Sequence, residues 1–427
     1  MKIYRKGRMF LFLMLVLAAG ELLSGCTAKK ETGRDINKIV LRYENWEVYP
    51  EQLALHQEVV DAFNKTHPRI HVKLEGIESG MKILVEMAGG SGPDIFFWDS
   101  GILAPLVTKG TVLNLYPFIQ ESKDLNPDEY FSGLFDIHRY NEGIYAFPIY
   151  WGSSALAYNK VLFDKAGLEY PDESWTWDDF ISAGDKLTIK KDGRAVQYGA
   201  NRPGIYLAMM SFGGTFFNES VTKCTMNESQ VKEALQFMVD LERKYQIVPA
   251  QAQTIGEKYR GDIELFISGR MGMYIVSTSE LPKMRKIKGL EWDISPLPKS
   301  SAGRAIGLGA GNLCIPSQSK HPKEAWEFVK FACGKEGSRI LGKGGNNIPP
   351  IKSLAYSVFS IPPPEHIRIF VETSNYALPP EPATRKEWWE EFRTVVVFQE
   401  IEKMLLGKQT VSETVQMIIS SANKFLK

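Results

Sequence analysis

Cysteine and histidine are scarce in this chain, with four of the first and six of the second among 427 residues. Beyond Cys26 only Cys224, Cys314 and Cys333 remain, and an odd set of three excludes a disulfide framework. Whether two of them pair stays open. Cys314 lies in apolar Leu313-Cys314-Ile315 and Cys333 follows Phe331-Ala332, settings that suit inert buried thiols. No CxxC or HExxH spacing occurs, so metal sites of those types are unsupported and no cofactor is expected. Gly342-Lys343-Gly344-Gly345 lacks the spacing of a phosphate-binding P-loop and reads as an ordinary loop. An excess of one charge is also missing: 51 basic residues face 50 acidic ones. That balance excludes the basic footprint of a nucleic-acid binder and argues against a polyanionic ligand. After the first twenty residues no apolar run is long enough to span a bilayer.

What is present begins with an export signal. Lys2, Arg5, Lys6 and Arg8 precede an apolar stretch from Met9 to Ala19, too short for a comfortable membrane span. Leu23-Ser24-Gly25-Cys26 then resembles the bacterial lipobox, whose cysteine is lipidated and becomes the mature N-terminus. An ordinary secretory signal with a chance cysteine is the alternative. The expected organisation is a signal peptide over 1–25 and a lipid-anchored polar tether over 26–37. Removing the first 25 residues leaves 47 basic and 49 acidic side chains, a net charge of −2.

Further along, Ile39 to Tyr43 is a β-type run, and Leu55, Val59 and Phe63 share one face of a helix that ends before His67-Pro68. Ile70, Val72 and Leu74 alternate as in a strand. A short helix from Met81 to Ala88 leads through Gly89-Gly90-Ser91-Gly92-Pro93 to a buried strand at Asp94 to Trp98. This β-α-β-α-β order implies a parallel sheet with right-handed crossovers. In such sheets ligands bind beyond the carboxyl ends of the strands, which points to Trp46, Glu47 and Asp99. Thr176 and Asp179 mark a capped helix start, making Trp175 and Trp177 packing neighbours. Helices are also expected over Val231 to Tyr245, Ala325 to Cys333, Glu387 to Leu406 and after the capping box Thr410 to Glu413. Strands are expected at Met271 to Val276, Ile294 to Leu297 and the glycine-rich Gly307 to Pro316.

With these pieces in order, the chain resembles the family 1 extracellular solute-binding proteins, the maltose-binding-protein-like lipoprotein receptors of carbohydrate ABC importers. The stretches that carry the resemblance include Val59-Val60-Asp61-Ala62-Phe63-Asn64-Lys65, Gly92-Pro93-Asp94-Ile95 and Gly143-Ile144-Tyr145-Ala146-Phe147-Pro148. Ala157-Tyr158-Asn159-Lys160, Phe266 to Gly272, His321 to Phe328 and Arg393-Thr394-Val395-Val396 complete the set. The resemblance implies an α/β, two-lobed, type II periplasmic-binding-protein-like fold whose discontinuous lobes are joined by hinge crossings. On that template the N-terminal lobe would hold 38–148 plus 281–319, and the C-terminal lobe 149–280 plus 320–427.

A sugar cleft needs aromatic planes for stacking and polar groups for paired hydrogen bonds. Trp46 and Asp99 meet that need by the sheet argument and match ligand-contacting stretches of the family. A core indole and a helix-capping carboxylate are the alternatives. Tyr150 and Trp151 follow the expected first crossing and should face the cleft, or else pack at the hinge. The resemblance places Asn201, Arg202 and Tyr206 among polar and aromatic ligand contacts, with a solvated loop as the alternative. It also places Ser277 near a position where the maltose-binding type carries tryptophan, a departure that implies a different sugar. Gly309 and Asn312 are candidates for close backbone approach. By alignment on Arg393-Thr394, Trp389 matches a stacking position; of Trp388 and Trp389, one should face the cleft and the other pack.

The function implied is a non-catalytic receptor that captures a mono- or oligosaccharide and delivers it to membrane permease subunits. It would act as a monomer, lipid-anchored at Cys26 on the outer face of the cytoplasmic membrane, as at a Gram-positive cell surface. A secreted glycoside hydrolase also combines tryptophans with carboxylates. A solute-binding protein for a peptide or polyamine would keep the fold and change the ligand.

Overall fold

A computed structural model describes residues 38–47, 49–99, 103–251 and 260–426. The expected signal peptide, Cys26 and the tether lie outside the described residues. No helix among the described residues is long and apolar enough to cross a membrane. Cys224, Cys314 and Cys333 are buried free thiols.

The strands in chain order are β1 (Ile39–Asn45), β2 (Ile70–Gly76), β3 (Ile95–Asp99), β4 (Arg139–Tyr140), β5 (Gly143–Ile144) and β6 (Phe147–Gly152). They continue with β7 (Ser154–Asn159), β8 (Ile189–Lys191), β9 (Arg194–Ala200), β10 (Met271–Ser277), β11 (Trp292–Ser295) and β12 (Gly309–Cys314). Two five-stranded sheets result, ordered β2-β1-β3-β12-β6 and β11-β7-β10-β9-β8; β4 and β5 pair separately. β1 runs parallel to β2 and β3, whereas β12 enters antiparallel between β3 and β6.

The first sheet forms as the sequence pattern dictates. The helix Pro50–Thr66 starts with proline at its first turn and buries Val59, Val60 and Phe63 against the sheet. Phe63, Phe97, Phe147, Trp326 and Phe328 share one apolar core there. In the second half the helix Trp177–Leu187 carries the expected capping box: Thr176 accepts from the Asp179 backbone, and Asp179 reaches back. Trp177 is buried, as a packing residue should be. The helix Val411–Phe425 opens with the matching box at Thr410 and Glu413.

The lobe boundaries depart from expectation. β11, expected with the first lobe, pairs with β7 in the second sheet, Trp292 opposite Asn159. Residues after 319, expected in the second lobe, instead return to the first: Trp326, Phe328, Val329, Ile340 and Leu341 join the core of the first sheet. The reason is connection length. β12 lies in the first sheet, and the few residues from Ile315 to His321 bring the next helix, Pro322–Ala332, straight back onto it. The first lobe therefore comprises β1 to β6 and the helices between them, with β12 and the helices from Pro322 to about residue 358. The second holds β7 to β11 with the chain from about 359 onward.

A charged knot stands at the edge of the first sheet. Arg42 bonds Glu44, Glu75 and Glu86 at 2.6, 3.1 and 3.0 Å. The Glu44 side chain is 0% exposed, and its second oxygen has no hydrogen-bond partner. Burial, then the neighbouring Glu86 carboxyl, pushes Glu44 up to about 7, while Lys82 and Arg42 pull the other way. A carboxyl raised on folding contributes stability that is complete below its unfolded value and lost as pH rises through its folded one. Glu44→Gln keeps the acceptor for Arg42 and removes the titration. Its melting temperature should gain on the wild type as pH rises from about 4.5 to about 8. A constant difference across that window would show that Glu44 stays ionised in the folded protein.

Candidate functional site

A cavity of about 1710 Å³ opens between elements of the two lobes. On the first-lobe side it is walled by the start of the first helix (Tyr49, Glu51, Gln52, Leu55) and the loop Lys343, Gly344 and Asn346. On the second-lobe side stand Asn201 to Ile205, the carboxyl end of β10 with the turn after it (Tyr274, Ser277, Ser279, Glu280), and Phe398 and Ile401.

Three of the expected residues meet here. Asn201 is held by its Oδ1, which accepts from the Ile275 backbone at 2.8 Å. Arg202 bonds the carboxylate of Glu242 and donates to Gln251 Oε1 at 2.6 Å. Burial lowers the Arg202 pKa and Glu242 opposes that fall. Its Nε remains unpaired and buried, as does Asp262 Oδ1 nearby; burial raises the Asp262 pKa and Arg202 opposes that rise. Ser277 shares a 2.6 Å hydroxyl contact with Ser279 and caps the turn that ends at Glu280.

A second expected group gathers at the carboxyl edge of the first sheet, beside the cavity wall. Glu47 receives the Tyr150 hydroxyl at 3.5 Å and the Tyr49 backbone N–H at 3.3 Å. Asp99 lies exposed at the end of β3, opposite Gly311 of β12. Gly311 must be glycine because a Cβ would fall 2.5 Å from the Tyr150 ring, which lies across it. Trp46 is half-buried, packs on Phe97 and spends its Nε1–H on the Phe97 carbonyl at 3.0 Å.

Other expected residues are placed elsewhere. Trp151 is 0% exposed, packed on Phe131, with its Nε1–H given to the Pro349 carbonyl. It is hinge core and does not face the cleft. Asn312 is buried at a register shift in β12, and its amide donates to the Trp98 and Ala310 carbonyls. Its role is to satisfy irregular strand backbone. Gly309 begins β12 beside open space, so no crowding requires glycine there. Trp388 and Trp389 both pack into the helical layer of the second lobe, against Phe217 and Phe392. Neither lines the cavity. Tyr206 likewise packs on Phe216 and Trp389. Phe398, beyond the π-helical stretch Phe392–Val397, is the aromatic of this region that reaches the cavity.

Tyr49, Tyr274, Glu280 and Phe398 also line the cavity, and none of them is among the residues expected from the sequence. Tyr49 is 56% exposed, a free aromatic face at the cleft mouth. Its signal was its place just before the helix-starting Pro50, two residues beyond Glu47. Glu280 accepts from the Tyr274 hydroxyl at 2.6 Å and the Ser277 N–H at 2.9 Å, and burial raises its pKa.

A family model described as bacterial extracellular solute-binding protein matches residues 49–338. The chain belongs to that family. Among the relatives of this solute-binding protein, the arabinooligosaccharide-binding protein of Bacillus subtilis (strain 168) is 26% identical over 345 residues, covering 77% of each chain. The multiple sugar-binding protein of Streptococcus mutans is 23% identical over 376 residues, 79% of this chain and 84% of that one. Among solved structures, the ABC substrate-binding protein of Listeria monocytogenes in complex with cycloalternan matches with a TM-score of 0.80 at 24% identity. That match covers 91% of this chain and 99% of that one. The likeness gives the fold as the two-lobed type II arrangement expected from the sequence.

Placing Trp389 in the core has a consequence for stability. Trp389→Ala should destabilise this solute-binding protein by about 3–5 kcal/mol in denaturant titration, the cost of emptying a large buried site. Unfolding at the wild-type denaturant concentration would remove Trp389 from the core.

Proposed function

We propose that this solute-binding protein captures an uncharged mono- or oligosaccharide in the interlobe cleft and delivers it to the permease subunits of an ABC importer. In this reading Cys26 carries the lipid that holds it at the outer face of the cytoplasmic membrane. The observation that carries the sugar assignment is the chemistry of the cleft wall. Tyr49 offers an open aromatic face, and Asn201, Ser277, Ser279 and Glu280 offer hydroxyl-matched donors and acceptors. The cations of the wall, among the described residues, already have partners. Arg202 is bound to Glu242, Lys283 to Glu264, Lys286 to Glu51 and Lys343 to Glu58. A ligand carboxylate or phosphate would have to break one of these pairs. The printed names of the arabinooligosaccharide- and multiple sugar-binding relatives support the same class.

The proposed contacts are Tyr49, Asn201, Arg202, Ser277, Tyr274, Glu280 and Phe398, with Glu47, Asp99, Tyr150 and Trp46 along the first-lobe edge. Glu280 argues for binding over hydrolysis. A general acid must be free to give a proton to a leaving group, whereas both Glu280 oxygens already accept hydrogen bonds.

A thermal-shift screen should show stabilisation by neutral oligosaccharides and none by uronates, polyamines or peptides. A ligand at one hundred times its Kd adds about 2.7 kcal/mol. Tyr49→Ala, at an exposed site, should weaken binding roughly tenfold, about 1.4 kcal/mol, and leave the ligand-free melting temperature unchanged. Sugar products appearing on incubation would overturn the receptor reading, and a shift confined to charged ligands would overturn the sugar assignment.

A further inference from the structure

The second-lobe wall of the cleft continues from Glu280 into a short helix, Leu281–Arg285. The Arg285 guanidinium leaves that helix and makes three hydrogen bonds, all to backbone carbonyls. Its Nη1 donates to Gly345 at 2.8 Å, Nη2 to Ile361 at 2.7 Å and Nε to Pro363 at 2.7 Å. The acceptors belong to two different parts of the molecule. Gly345 lies in the loop after the helix Lys335–Gly342, and that loop is fastened to the first lobe: Asn347 donates to Gln52 at 3.0 Å and Lys343 pairs with Glu58 at 2.8 Å. Ile361 and Pro363 lie in the segment by which the chain returns to the second lobe. There His366 closes onto Asp293 of β11 at 2.7 Å.

Gly345 is shaped for this contact. Its φ is +68°, and a Cβ built on it would stand 2.3 Å from Arg285 Nη1. The glycine thus gives both the left-handed backbone and the space that the guanidinium fills. The arrangement is costly as a purely local one. Among the described residues no carboxylate pairs with Arg285, and burial alone lowers its pKa to about 10. A half-buried cation satisfied only by carbonyls contributes fixed geometry more than net stability. The fork shape of arginine suits that task, because its planar donors can meet acceptors on separate segments at once.

We propose that Arg285 is a positioning residue that pins the second-lobe wall of the cleft to the first-lobe rim and to the returning crossing, and so sets the opening between the lobes. It touches the cleft only through its neighbours. Lys286 and Ile287 line one side and Gly344 and Asn346 the other, so the Arg285–Gly345 contact ties the two walls together at their edge. The Lys286–Glu51 pair at 3.3 Å spans the same gap, but both partners are well exposed and add little.

The test needs no ligand. Spin labels at Val85→Cys in the first lobe and Val196→Cys in the second, both on exposed positions, report the interlobe distance. Cys224, Cys314 and Cys333 are buried, and Cys26→Ser removes the remaining thiol. Arg285→Ala should turn a single narrow distance distribution into a wide one. Gly345→Ala, on the opposite side of the contact, should widen it similarly. If Arg285→Ala does not fold, Arg285→Lys, which keeps the stem and loses the fork, takes its place. An unchanged distribution, even with a lowered melting temperature, would reduce Arg285 to local packing and overturn the proposal.

Discussion

At Ser153 the chain leaves the first sheet and enters the second with a single intervening residue. β6 ends at Gly152 and β7 begins at Ser154, so both sheets are tied to one almost continuous strand. Ser153 is buried and fully employed. Its hydroxyl donates to the Phe370 carbonyl at 2.8 Å, and its own carbonyl accepts from Thr278 at 3.0 Å. Trp151, two residues earlier, pairs its backbone with Ile348 in both directions and gives its indole N–H to Pro349. The crossing is therefore clamped by segments from three distant parts of the sequence. Every other feature of the cleft inherits its place from this, because β12, the loop at Gly345 and the turn after β10 are positioned against these same residues.

The parts of the fold that could be read from the sequence are those whose determinants are local. Alternation, helical stripes and capping boxes act over a few residues, and the expected elements from Ile39 to Trp98, the Thr176 cap and the Thr410 cap all appear as written. Which sheet receives a strand is a different kind of information. β11 is short and alternates Trp292 and Ile294 with Asp293 and Ser295, and nothing in that pattern distinguishes the free edge of β7 from an edge of the first sheet. The helix Pro322–Ala332 had an apolar stripe that would suit either lobe. Only the placement of β12, through a short connection, assigns it. The lobe boundaries were shifted for that reason.

The site divided along the same line. Ser277 closes the apolar run of β10, so its place was visible in the sequence. Asn201 and Arg202 follow β9, a strand of mixed polarity, and only the family resemblance pointed to them. Aromatics were less legible. Trp151, Trp388 and Trp389 look like stacking planes in sequence, yet a large indole is also the natural filler of a hinge or a helical layer. What separates a platform from a filler is whether a neighbouring side chain covers it. Phe217, Phe392 and Phe425 surround Trp388; Phe392 is its i+4 neighbour on the same face, and the other two are distant in sequence. Tyr49 lacks such a cover and stands open.

The pairing of charges in the cleft also bears on how a receptor of this kind can be both selective and reversible. A free arginine would bind any acid, whereas Arg202, held by Glu242 and Gln251, presents a fixed N–H and little unbalanced charge. Hydroxyls are weak partners, and each contributes only about 1 kcal/mol net when water is exchanged for protein. Selectivity for them comes from holding donors and acceptors still, so that no ordering cost falls on binding. The Tyr274–Glu280–Ser277 set does this on one wall and the Glu47–Tyr150 contact on the edge of the other. Such a wall works only if the two lobes meet at a reproducible separation. A donor displaced by an ångström loses most of its bond, and the geometry of the crossings then matters as much as the identity of the contacts.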